Sequence, residues 1–419
     1  MSFTDFQLHP KINAGIAACG YSQPTPIQKA AIPPILAGRD MLGLAQTGTG
    51  KTAAFVLPVL ERLLDGPRKQ LRALIVAPTR ELAEQIHDNI GQMAKMTGLK
   101  SAVVYGGVGK QPQIKAIRTG AEIVVACPGR LLDLLSGKAF NLRAVEVLVL
   151  DEADHMFDKG FLPDIRRIIK QLPVKRQNLV FSATMPKEIR HLATQILHNP
   201  ATVQIDHSIP APTISHGLYQ VTREKKTALL KSIMKKQQMK TTLVFTRTKH
   251  KARSLARNLQ NSGFKATSLQ GNLSQQKRQQ AMEGFRDGTF NILVATDIAA
   301  RGIDVDGISH VINFDIPDTA ETYTHRTGRT GRATRSGQAM TFAGPEDAKM
   351  IALIERNLGK KIVREALPNL TEDLEKTVEK KNNYNTPRQT VAKKKPAASR
   401  NKSRRNKASA FDFGINNVA

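Results

Sequence analysis

The sequence predicts an α/β fold with two parallel-sheet domains in tandem, a short linker between them and a disordered basic tail. Strand-length apolar runs alternate with helical stretches, and this alternation occurs twice along the chain. Two prolines without periodicity interrupt it near residue 210. The last part of the chain is basic and has no apolar period. We therefore expect domains at residues 1–205 and 217–370, a linker at 206–216 and a tail at 371–419.

Composition supports two folded domains and points to a polyanionic partner. The chain has 419 residues, which is too many for one compact core, and 40% of them are hydrophobic. Its 63 Lys and Arg residues against 35 Asp and Glu residues give a net charge of +28. Such a balance favours nucleic acid as the partner, although charge alone does not exclude a general effect on solubility.

The cysteines and the N-terminus bear on the compartment. Cys19 and Cys127 lie far apart without a C-x-x-C motif, which argues against a disulfide framework and a cysteine zinc site. The first residues lack the charged start and apolar core of a signal peptide. The longest apolar runs have the length of strands, so no membrane span is expected. These observations predict a reducing, cytoplasmic compartment.

The predicted strands end in polar or glycine-bearing loops. In the first domain the strands lie at residues 71–77, 102–105, 122–127, 145–150 and 178–181, and in the second at 242–245, 266–269, 291–295 and 311–314. A helix is expected at 28–36, after a rigid Pro-Thr-Pro turn. Because ligands of parallel α/β sheets bind beyond the carboxyl ends of the strands, these loops are the candidate functional residues.

Residues 45–52 have the layout of a phosphate-binding P-loop, with a short apolar strand before them and a helix after them. Glycines let backbone N–H groups surround phosphate oxygens, and the helix N-terminus adds partial positive charge. Lys51 is expected to reach the phosphates and Thr52 to hold Mg²⁺. Ala45 stands where the usual pattern begins with glycine. For this loop alone, a glycine-rich turn before a buried helix remains an alternative.

Carboxylates follow the apolar strand at 145–150. Asp151 has the position expected for the residue that holds Mg²⁺, largely through water. Glu152 comes next, and a carboxylate there is suited to orienting and deprotonating the attacking water. Asp154 completes the group. The alternative is a solvated turn, which the P-loop upstream makes a poor explanation.

Developing charge on a transferred phosphate requires cations, and residues 323–332 supply them. Arg329 and Arg332 are three residues apart, so on a helical turn they share a face. They are candidates for arginine fingers if this segment faces the P-loop. On these residues alone, a basic patch that binds nucleic acid is the competing interpretation.

Taken together, these motifs resemble those of a DEAD-box RNA helicase of superfamily 2. The resemblance covers residues 3–345, and Asp-Glu-Ala-Asp at 151–154 is the sequence that gives the family its name. It implies two RecA-like domains, ATP and Mg²⁺ as cofactors, and RNA-dependent ATP hydrolysis. The compact core and simple basic tail are similar to the bacterial RhlE-type branch.

The resemblance implies a role for each matching residue of the ATP site. Gln28 would read the adenine edge, Tyr21 would stack on the adenine with Phe3 supporting it, and Asp304 would contact the ribose. His325 would connect the fingers to the carboxylates. Asp154, Ser182 and Thr184 would couple hydrolysis to strand separation. Further ATP-binding residues would be Thr25, Gly48, Thr49, Gly50, Lys51 and Thr52, and the catalytic set would be Lys51, Asp151, Glu152, Arg329 and Arg332.

The resemblance also implies RNA contacts from loops of both domains, mostly to phosphates and 2′-hydroxyls. Cys127 departs from the family's usual Thr and is a weaker donor, so one phosphate contact is expected to weaken. Thr327 replaces a usual aliphatic residue, with little effect expected. The implied RNA-binding residues are Pro78, Thr79, Arg80, Gly107, Gly129, Arg130, Arg247, Gln270, Gly271 and Thr296.

The predicted function is local unwinding of short RNA duplexes, or remodelling of RNA–protein complexes, by ATP-driven closure of the two domains. An ATP-gated RNA clamp or annealing factor is the alternative, and a P-loop kinase or transport ATPase finds no support in the motifs. The expected partner is structured or duplex RNA, bound largely independently of its sequence, with ribosomal RNA or the RNA-decay machinery as candidates, no membrane and a monomeric core. The tail, which has no acidic residue from 381 to 410, is expected to anchor RNA through counter-ion release.

Overall fold

The computed structural model describes residues 2–46, 48–205, 214–236, 239–300, 305, 307–331 and 336–367. Asp304, Arg332, most of the predicted linker and the predicted tail from residue 371 lie outside these residues, so the predictions about them stay predictions. The described residues all belong to one compact unit.

The first domain is a parallel sheet with helices on both faces. Among the described residues the strand order is β3-β4-β2-β5-β6-β1-β7. All the pairings are parallel, and separate apolar clusters cover the two faces. The strands are β1 (Met41–Leu44), β2 (Ala73–Val76), β3 (Ser101–Val104), β4 (Ile123–Ala126), β5 (Val147–Leu150), β6 (Gln177–Ser182) and β7 (Ala201–Gln204).

Nine helices are described in this domain, after a short 3₁₀ turn at Phe3–Phe6. They are α1 (Pro10–Ala18), α2 (Pro26–Leu36), α3 (Lys51–Leu64), α4 (Arg80–Met93), α5 (Lys110–Arg118), α6 (Pro128–Ser136), α7 (Ala153–Asp158), α8 (Leu162–Ile169) and α9 (Lys187–Ile196). The amphipathic ones, such as α4 and α9, bury one apolar stripe against the sheet.

The second domain repeats this architecture. Its described strands follow the order β10-β11-β9-β12-β13-β8-β14, again with parallel pairing. The strands are β8 (Ile214–Gln220), β9 (Thr242–Phe245), β10 (Ala266–Leu269), β11 (Ile292–Ala295), β12 (His310–Asn313), β13 (Gly337–Ala343) and β14 (Val363–Arg364). The helices are α10 (Lys226–Lys236), α11 (Lys249–Gln260), α12 (Gln275–Arg286), α13 (Asp297–Ala300), α14 (Ala320–Thr327) and α15 (Ala348–Leu358), with a 3₁₀ turn at Pro345–Asp347.

The predicted fold class is confirmed, while some elements differ from those expected. The strands predicted from apolar runs are present, with ends shifted by a residue or two. Four further strands, β7, β8, β13 and β14, were not predicted, and β8 begins at Ile214, inside the stretch expected to be linker. Polar and glycine residues within β8 and β13 obscure the apolar run that marks a strand.

Sheet register brings the candidate loops together. Strand β1 pairs with β6 so that Leu44 lies beside Ser182, and the backbone N–H of Ala45 donates to the Ser182 carbonyl at 3.0 Å. The P-loop and the loop after Ser182 therefore leave the same edge of the sheet, as do the carboxylates that follow β5.

Candidate ATP and RNA sites

The P-loop connects β1 to α3 and is held by its own side chains. Gly48 and Gly50 have positive φ angles of 82° and 92°, which favour glycine. The buried Lys51 ammonium donates to the Ala45 carbonyl at 2.6 Å, and the Thr49 hydroxyl donates to the Gln46 carbonyl at 2.7 Å. These contacts curl the loop around the N-terminus of α3, where phosphate binding is favoured.

The segment before α2 packs on the P-loop. Gln28 is buried, its amide oxygen accepts from the Thr25 backbone N–H at 2.9 Å, and its amide nitrogen donates to the Gly50 carbonyl at 3.0 Å. Phe3 is buried and stacks against the exposed ring of Tyr21, with centroids 6.2 Å apart. The rings of Phe3 and Tyr21 are therefore in contact, while their roles at the adenine stay predictions. Both ends of the Gln28 amide, in contrast, contact the chain itself, so adenine reading by Gln28 stays a prediction.

Asp151 and Glu152 are buried at the end of β5, and their environments separate their pKa values. Burial raises the pKa of Asp151 to about 7, although the Lys51 charge opposes the rise. Burial also tends to raise the pKa of Glu152, but the hydrogen bond and charge of His155, together with Lys51 and Arg329, outweigh it and lower that pKa to about 2. Glu152 is therefore ionised at neutral pH and available to orient water.

The backbone of Glu152 is in the left-handed region, with φ of 51°. This conformation is uncommon for a residue with a side chain, and it costs about 1–2 kcal/mol. Glu152 is the N-cap residue of α7. Its carboxylate lies 3.1 Å from Nδ1 of His155. Backbone strain of this kind is concentrated at functional sites.

Asp154, Ser182 and Thr184 form one hydrogen-bonded group. The Ser182 hydroxyl accepts from the Asp154 backbone N–H at 3.1 Å and donates to the Thr184 carbonyl at 2.7 Å. One Asp154 carboxylate oxygen accepts from the backbone N–H of Thr184 at 2.8 Å and from its hydroxyl at 3.0 Å. The group joins the start of α7 to the loop after β6, and its role in coupling stays a prediction.

The second domain brings Arg329 to this site. Arg329 is buried, its Nε donates to the His325 carbonyl at 3.3 Å, and its charge lowers the pKa of Glu152 in the first domain. A Cβ placed on the neighbouring Gly328 would lie 3.9 Å from the Gln46 side chain in the P-loop. The end of α14 therefore faces the P-loop, which is where an arginine finger must lie.

Arg326 is a site residue that sequence reasoning missed. Its buried guanidinium binds both carboxylate oxygens of Asp297, at 2.6 and 2.7 Å, and donates to Asn313 at 3.1 Å. Arg326 lies three residues before Arg329, and Asp297 directly follows Thr296. The ion pair between Arg326 and Asp297 thus fixes the segment of Arg329, the candidate arginine finger, relative to the loop that contains Thr296. The signal in the sequence was Asp297, which comes shortly after β11. No motif in the linear sequence, however, pairs an aspartate there with Arg326.

Most of the predicted RNA-binding residues line one cleft of about 740 Å³ between the domains. Gln270 does not line it, because it is buried and its side chain accepts from the Asn272 backbone N–H at 2.7 Å. The predicted residues that line the cleft are Pro78, Thr79, Arg80, Gly129, Arg130, Arg247, Gly271 and Thr296. Cys127, whose phosphate contact was expected to be weaker, lines the cleft as well, and further lining residues that were not predicted include Lys159, Phe161, Lys249 and Leu273.

Gly107 follows Gly106, which lines the cleft, and it leaves room for Arg80. Its φ is +83°, and a Cβ placed there would lie 2.3 Å from a guanidinium nitrogen of Arg80. That nitrogen reaches Gln275 of the second domain at 3.3 Å. Gly107 therefore shapes the RNA cleft through Arg80.

Cys127, which replaces a hydroxyl residue, contributes a neutral thiol to this cleft. Burial raises the pKa of Cys127 to about 12, and the Lys159 charge opposes the rise. Thr327, the other departure, is buried in α14, where its hydroxyl donates to the Tyr323 carbonyl at 3.0 Å. The helix therefore satisfies this polar group locally, in keeping with the small effect expected.

Across the part of the chain that the structure describes, no group of three or more His, Cys, Asp or Glu side chains is arranged to hold a metal ion. Among the helices described above, none is both long enough and apolar enough to cross a membrane.

Comparison with known proteins identifies both domains as helicase domains. The family model for the DEAD/DEAH box helicase matches residues 25–192, and that for the helicase conserved C-terminal domain matches residues 224–334. The RNA helicase CrhR of Synechocystis is 43% identical over 381 residues, which cover 90% of this chain and 77% of that protein.

Two other relatives extend the comparison. The DEAD-box ATP-dependent RNA helicase CshA of Streptococcus pneumoniae is 42% identical over 374 residues, covering 89% of this chain and 71% of CshA. The structure of S. cerevisiae Dbp5 bound to RNA and ADP BeF3 aligns with a TM-score of 0.80 and 30% identity, covering 90% of this chain and 99% of Dbp5. With its P-loop, buried carboxylates and facing arginine, this chain belongs to the DEAD-box family of helicases.

Proposed function

We propose that the chain is an ATP-dependent RNA helicase that unwinds short RNA duplexes locally, or remodels RNA–protein complexes, as its two domains close on RNA. The observation that carries the proposal is that the ATP and RNA candidate sites both lie between the domains. Arg329 of the second domain influences Glu152 of the first, while Arg247 and Arg130 line one cleft from opposite domains. A closed arrangement therefore completes both sites together.

In the proposed reaction, the P-loop backbone and Lys51 hold the ATP phosphates. Glu152, ionised at neutral pH, orients the attacking water, and Arg329 stabilises the charge that develops on the transferred phosphate. Thr52 and Asp151 are the oxygen donors proposed for Mg²⁺, which fits this pair because Mg²⁺ keeps several waters and needs few protein ligands. The ion would supply further positive charge beside the phosphates.

RNA and ATP are proposed to favour the same closed state, so each should increase the affinity for the other by the same factor. Bending of one strand in the closed cleft would expel its partner. The Asp154, Ser182 and Thr184 hydrogen bonds supply a path by which hydrolysis reopens the cleft. An ATP-gated clamp would share the closure without releasing a strand, and a duplex-release assay separates the two functions.

Three finer assignments are part of the proposal. Gln28 is proposed to give up its hydrogen bonds with Thr25 and Gly50 and to bind the adenine edge instead. ATP should therefore drive turnover better than GTP. Both described cysteines are free, which fits the reducing cytoplasm as the proposed compartment. Membership of the RhlE-type branch, with ribosomal RNA or the RNA-decay machinery as partner, is proposed from the compact core and basic tail.

The test is the steady-state ATPase rate with and without structured RNA, for the wild-type protein and for Glu152→Gln. The expected result is stimulation by RNA in the wild type and its loss in the variant. Glu188→Gln, on the exposed face of α9, is the matched control and should behave as wild type. Hydrolysis that is indifferent to RNA would contradict the proposed coupling.

A further inference from the structure

Positive charge is distributed unevenly along the second domain. Residues 221–265 contain thirteen Lys and Arg residues and one acidic residue, whereas residues 266–367 contain thirteen and twelve. The first of these segments includes helices α10 and α11, and neither helix contains an acidic residue. The charge excess of the domain is therefore carried by this one segment.

Three cations form a stripe along α11. Lys249, Arg253 and Arg257 follow one another at four-residue intervals, so they lie on one face of the helix, and all three are exposed. At 1.5 Å per residue this basic stripe is about 12 Å long. Neither Arg253 nor Arg257 forms an ion pair or a side-chain hydrogen bond with any residue that the structure describes. The stripe is therefore open to an anionic partner.

The basic stripe continues the RNA cleft. Its first residue, Lys249, lines the cleft together with Arg247, and the Lys249 ammonium donates to the Asn272 side chain at 3.1 Å. Because α11 follows β9, it starts at the carboxyl edge of the second sheet, where the cleft lies, and runs back toward the opposite edge. Arg253 and Arg257 therefore lie progressively farther from the cleft.

The stability of α11 does not benefit from this arrangement. Like charges four residues apart on a helix repel each other, and cations in the first helical turn oppose the helix dipole. Helix α11 has both features, since Lys249 and Lys251 stand in its first turn and no acidic residue offsets them there. An anion that lies along the helix would remove this repulsion.

We infer that the basic stripe binds the phosphate backbone of duplex RNA that adjoins the strand held in the cleft. The inference rests on the proposed function, because it takes RNA as the ligand of the cleft. A line of evenly spaced cations suits the repeating charges of a backbone, and a duplex has twice the charge of a single strand per unit length. Continuity with the cleft favours RNA over an acidic protein segment, since an RNA that fills the cleft already places its adjoining part beside α11.

The test compares the full-length wild type with Arg253→Gln/Arg257→Gln on three RNAs. One is a single strand that fills the cleft, and the others add a hairpin at one end or at the other. RNA affinity is measured at several salt concentrations with a non-hydrolysable ATP analogue. For one of the hairpin RNAs the variant should bind several-fold more weakly, and the slope of log K against log salt should become shallower by about 1.8, at about 0.9 for each lost contact. The affinity for the single strand should not change.

Two further variants separate the position of the charge from its amount. Arg253→Lys/Arg257→Lys keeps both charges and should retain the wild-type slope on every RNA. Lys170→Gln/Lys175→Gln is the matched control, because it removes two exposed lysines that precede β6, near the edge of the first sheet opposite the cleft. This control should behave as wild type, and a loss equal to that of the arginine variant would reveal a general charge effect and overturn the inference.

The thermal midpoint of each variant is measured as well. Arg253→Gln/Arg257→Gln should not lower the midpoint, since it removes repulsion along α11. A lower midpoint together with wild-type slopes would assign the two arginines to the fold and overturn the inference.

The inference and the proposed function fail differently. If wild-type ATPase activity does not respond to RNA, the proposed function fails. If it responds and Arg253→Gln/Arg257→Gln keeps the wild-type slope on both hairpin RNAs, only the inference is overturned. If that variant keeps its RNA slopes but loses binding of poly-L-glutamate, the basic stripe serves an acidic protein segment, which also overturns the inference.

Discussion

Two guanidinium nitrogens of Arg278 in the second domain meet one carboxylate oxygen of Glu81 in the first, at 2.6 and 2.7 Å. The side chains are only 11% and 9% exposed. The pair joins the first turn of α4, next to Arg80, to α12. Because its partners belong to different domains, this ion pair forms only when the domains are closed.

Breaking this pair should weaken closure. Glu81→Gln leaves Arg278 without its buried partner, and truncating one side of such a pair costs about 2–5 kcal/mol. The loss should appear as weaker coupling between ATP and RNA affinities, measured by RNA titrations with and without an ATP analogue. Asp164→Asn breaks the more exposed pair with Arg167 and should have little effect. Coupling that survives Glu81→Gln would show that other contacts hold the domains closed.

Removing the facing arginine should abolish most of the hydrolysis. Arg329→Ala deletes the cation that is positioned near Glu152, and such cations contribute about 10³-fold or more to turnover. The measurement is the ATPase rate constant at saturating ATP and RNA, with RNA affinity measured alongside. Arg166→Ala, on an exposed face of α8, is the control. Turnover close to wild type would remove Arg329 from the proposed mechanism.

Gly107→Ala should weaken RNA binding without affecting nucleotide binding. The added Cβ would collide with the Arg80 guanidinium and occupy a left-handed backbone conformation. Displacement of Arg80 removes a cation from the cleft wall. Affinities for RNA and for an ATP analogue are measured separately. Gly91→Ala in α4, where a Cβ has nothing within 4 Å, is the control, and equal RNA affinities for both variants would contradict the explanation.

Acid should destabilise the second domain through His216. Burial lowers the pKa of His216 from its ordinary value of about 6.5 to about 4. Below pH 6.5 the unfolded chain therefore binds a proton that the folded chain does not, so stability falls as pH decreases toward 4. Between pH 7.5 and pH 5 this amounts to about 2 kcal/mol.

Denaturant unfolding at both pH values, for the wild type and for His216→Gln, isolates this contribution. The variant should lose less stability on acidification, although removing the bond between His216 and Tyr323, at 2.9 Å, lowers its stability at both pH values. His191→Gln, at an exposed position of α9, should retain the wild-type difference. Parallel pH dependences for all three proteins would exclude His216 as the cause.

Deleting residues 381–419 should weaken RNA binding and flatten its salt dependence, because the basic segment releases counter-ions when it binds RNA. Turnover at saturating RNA should change little, since the deletion leaves the ATP site intact. RNA titrations at several salt concentrations give both quantities. An unchanged affinity and slope would exclude the tail as an RNA anchor.

Local patterns predicted much of this architecture. Apolar runs identified the central strands, and the loops that follow them contain most residues of both candidate sites. Relations between distant segments were not visible, because Glu81 and Arg278 lie 197 residues apart and neither belongs to a motif that specifies a partner. The environment of Gln28 was also missed, since its contact with Gly50 depends on how α2 packs against the P-loop.

The role of a glycine or a carboxylate was harder to predict than its position. Gly107 was predicted to contact RNA, which stays a prediction, and its closeness to the Arg80 guanidinium was not foreseen. The order of the pKa values of Asp151 and Glu152 depends on His155, three residues after Glu152, and on Lys51 and Arg329, which reach the site from two other segments. Sequence spacing cannot supply such distances.

The left-handed backbone conformation of Glu152 lowers the stability of the fold, while the carboxylate at the same position is proposed to assist hydrolysis. Glycine adopts this conformation without strain, so folding alone would prefer a residue that cannot assist hydrolysis. Replacing Glu152 by glycine would relieve the strain, by about 1 kcal/mol, but would remove the carboxylate proposed to orient water. The carboxylate at this position therefore comes with a backbone strain that glycine would avoid.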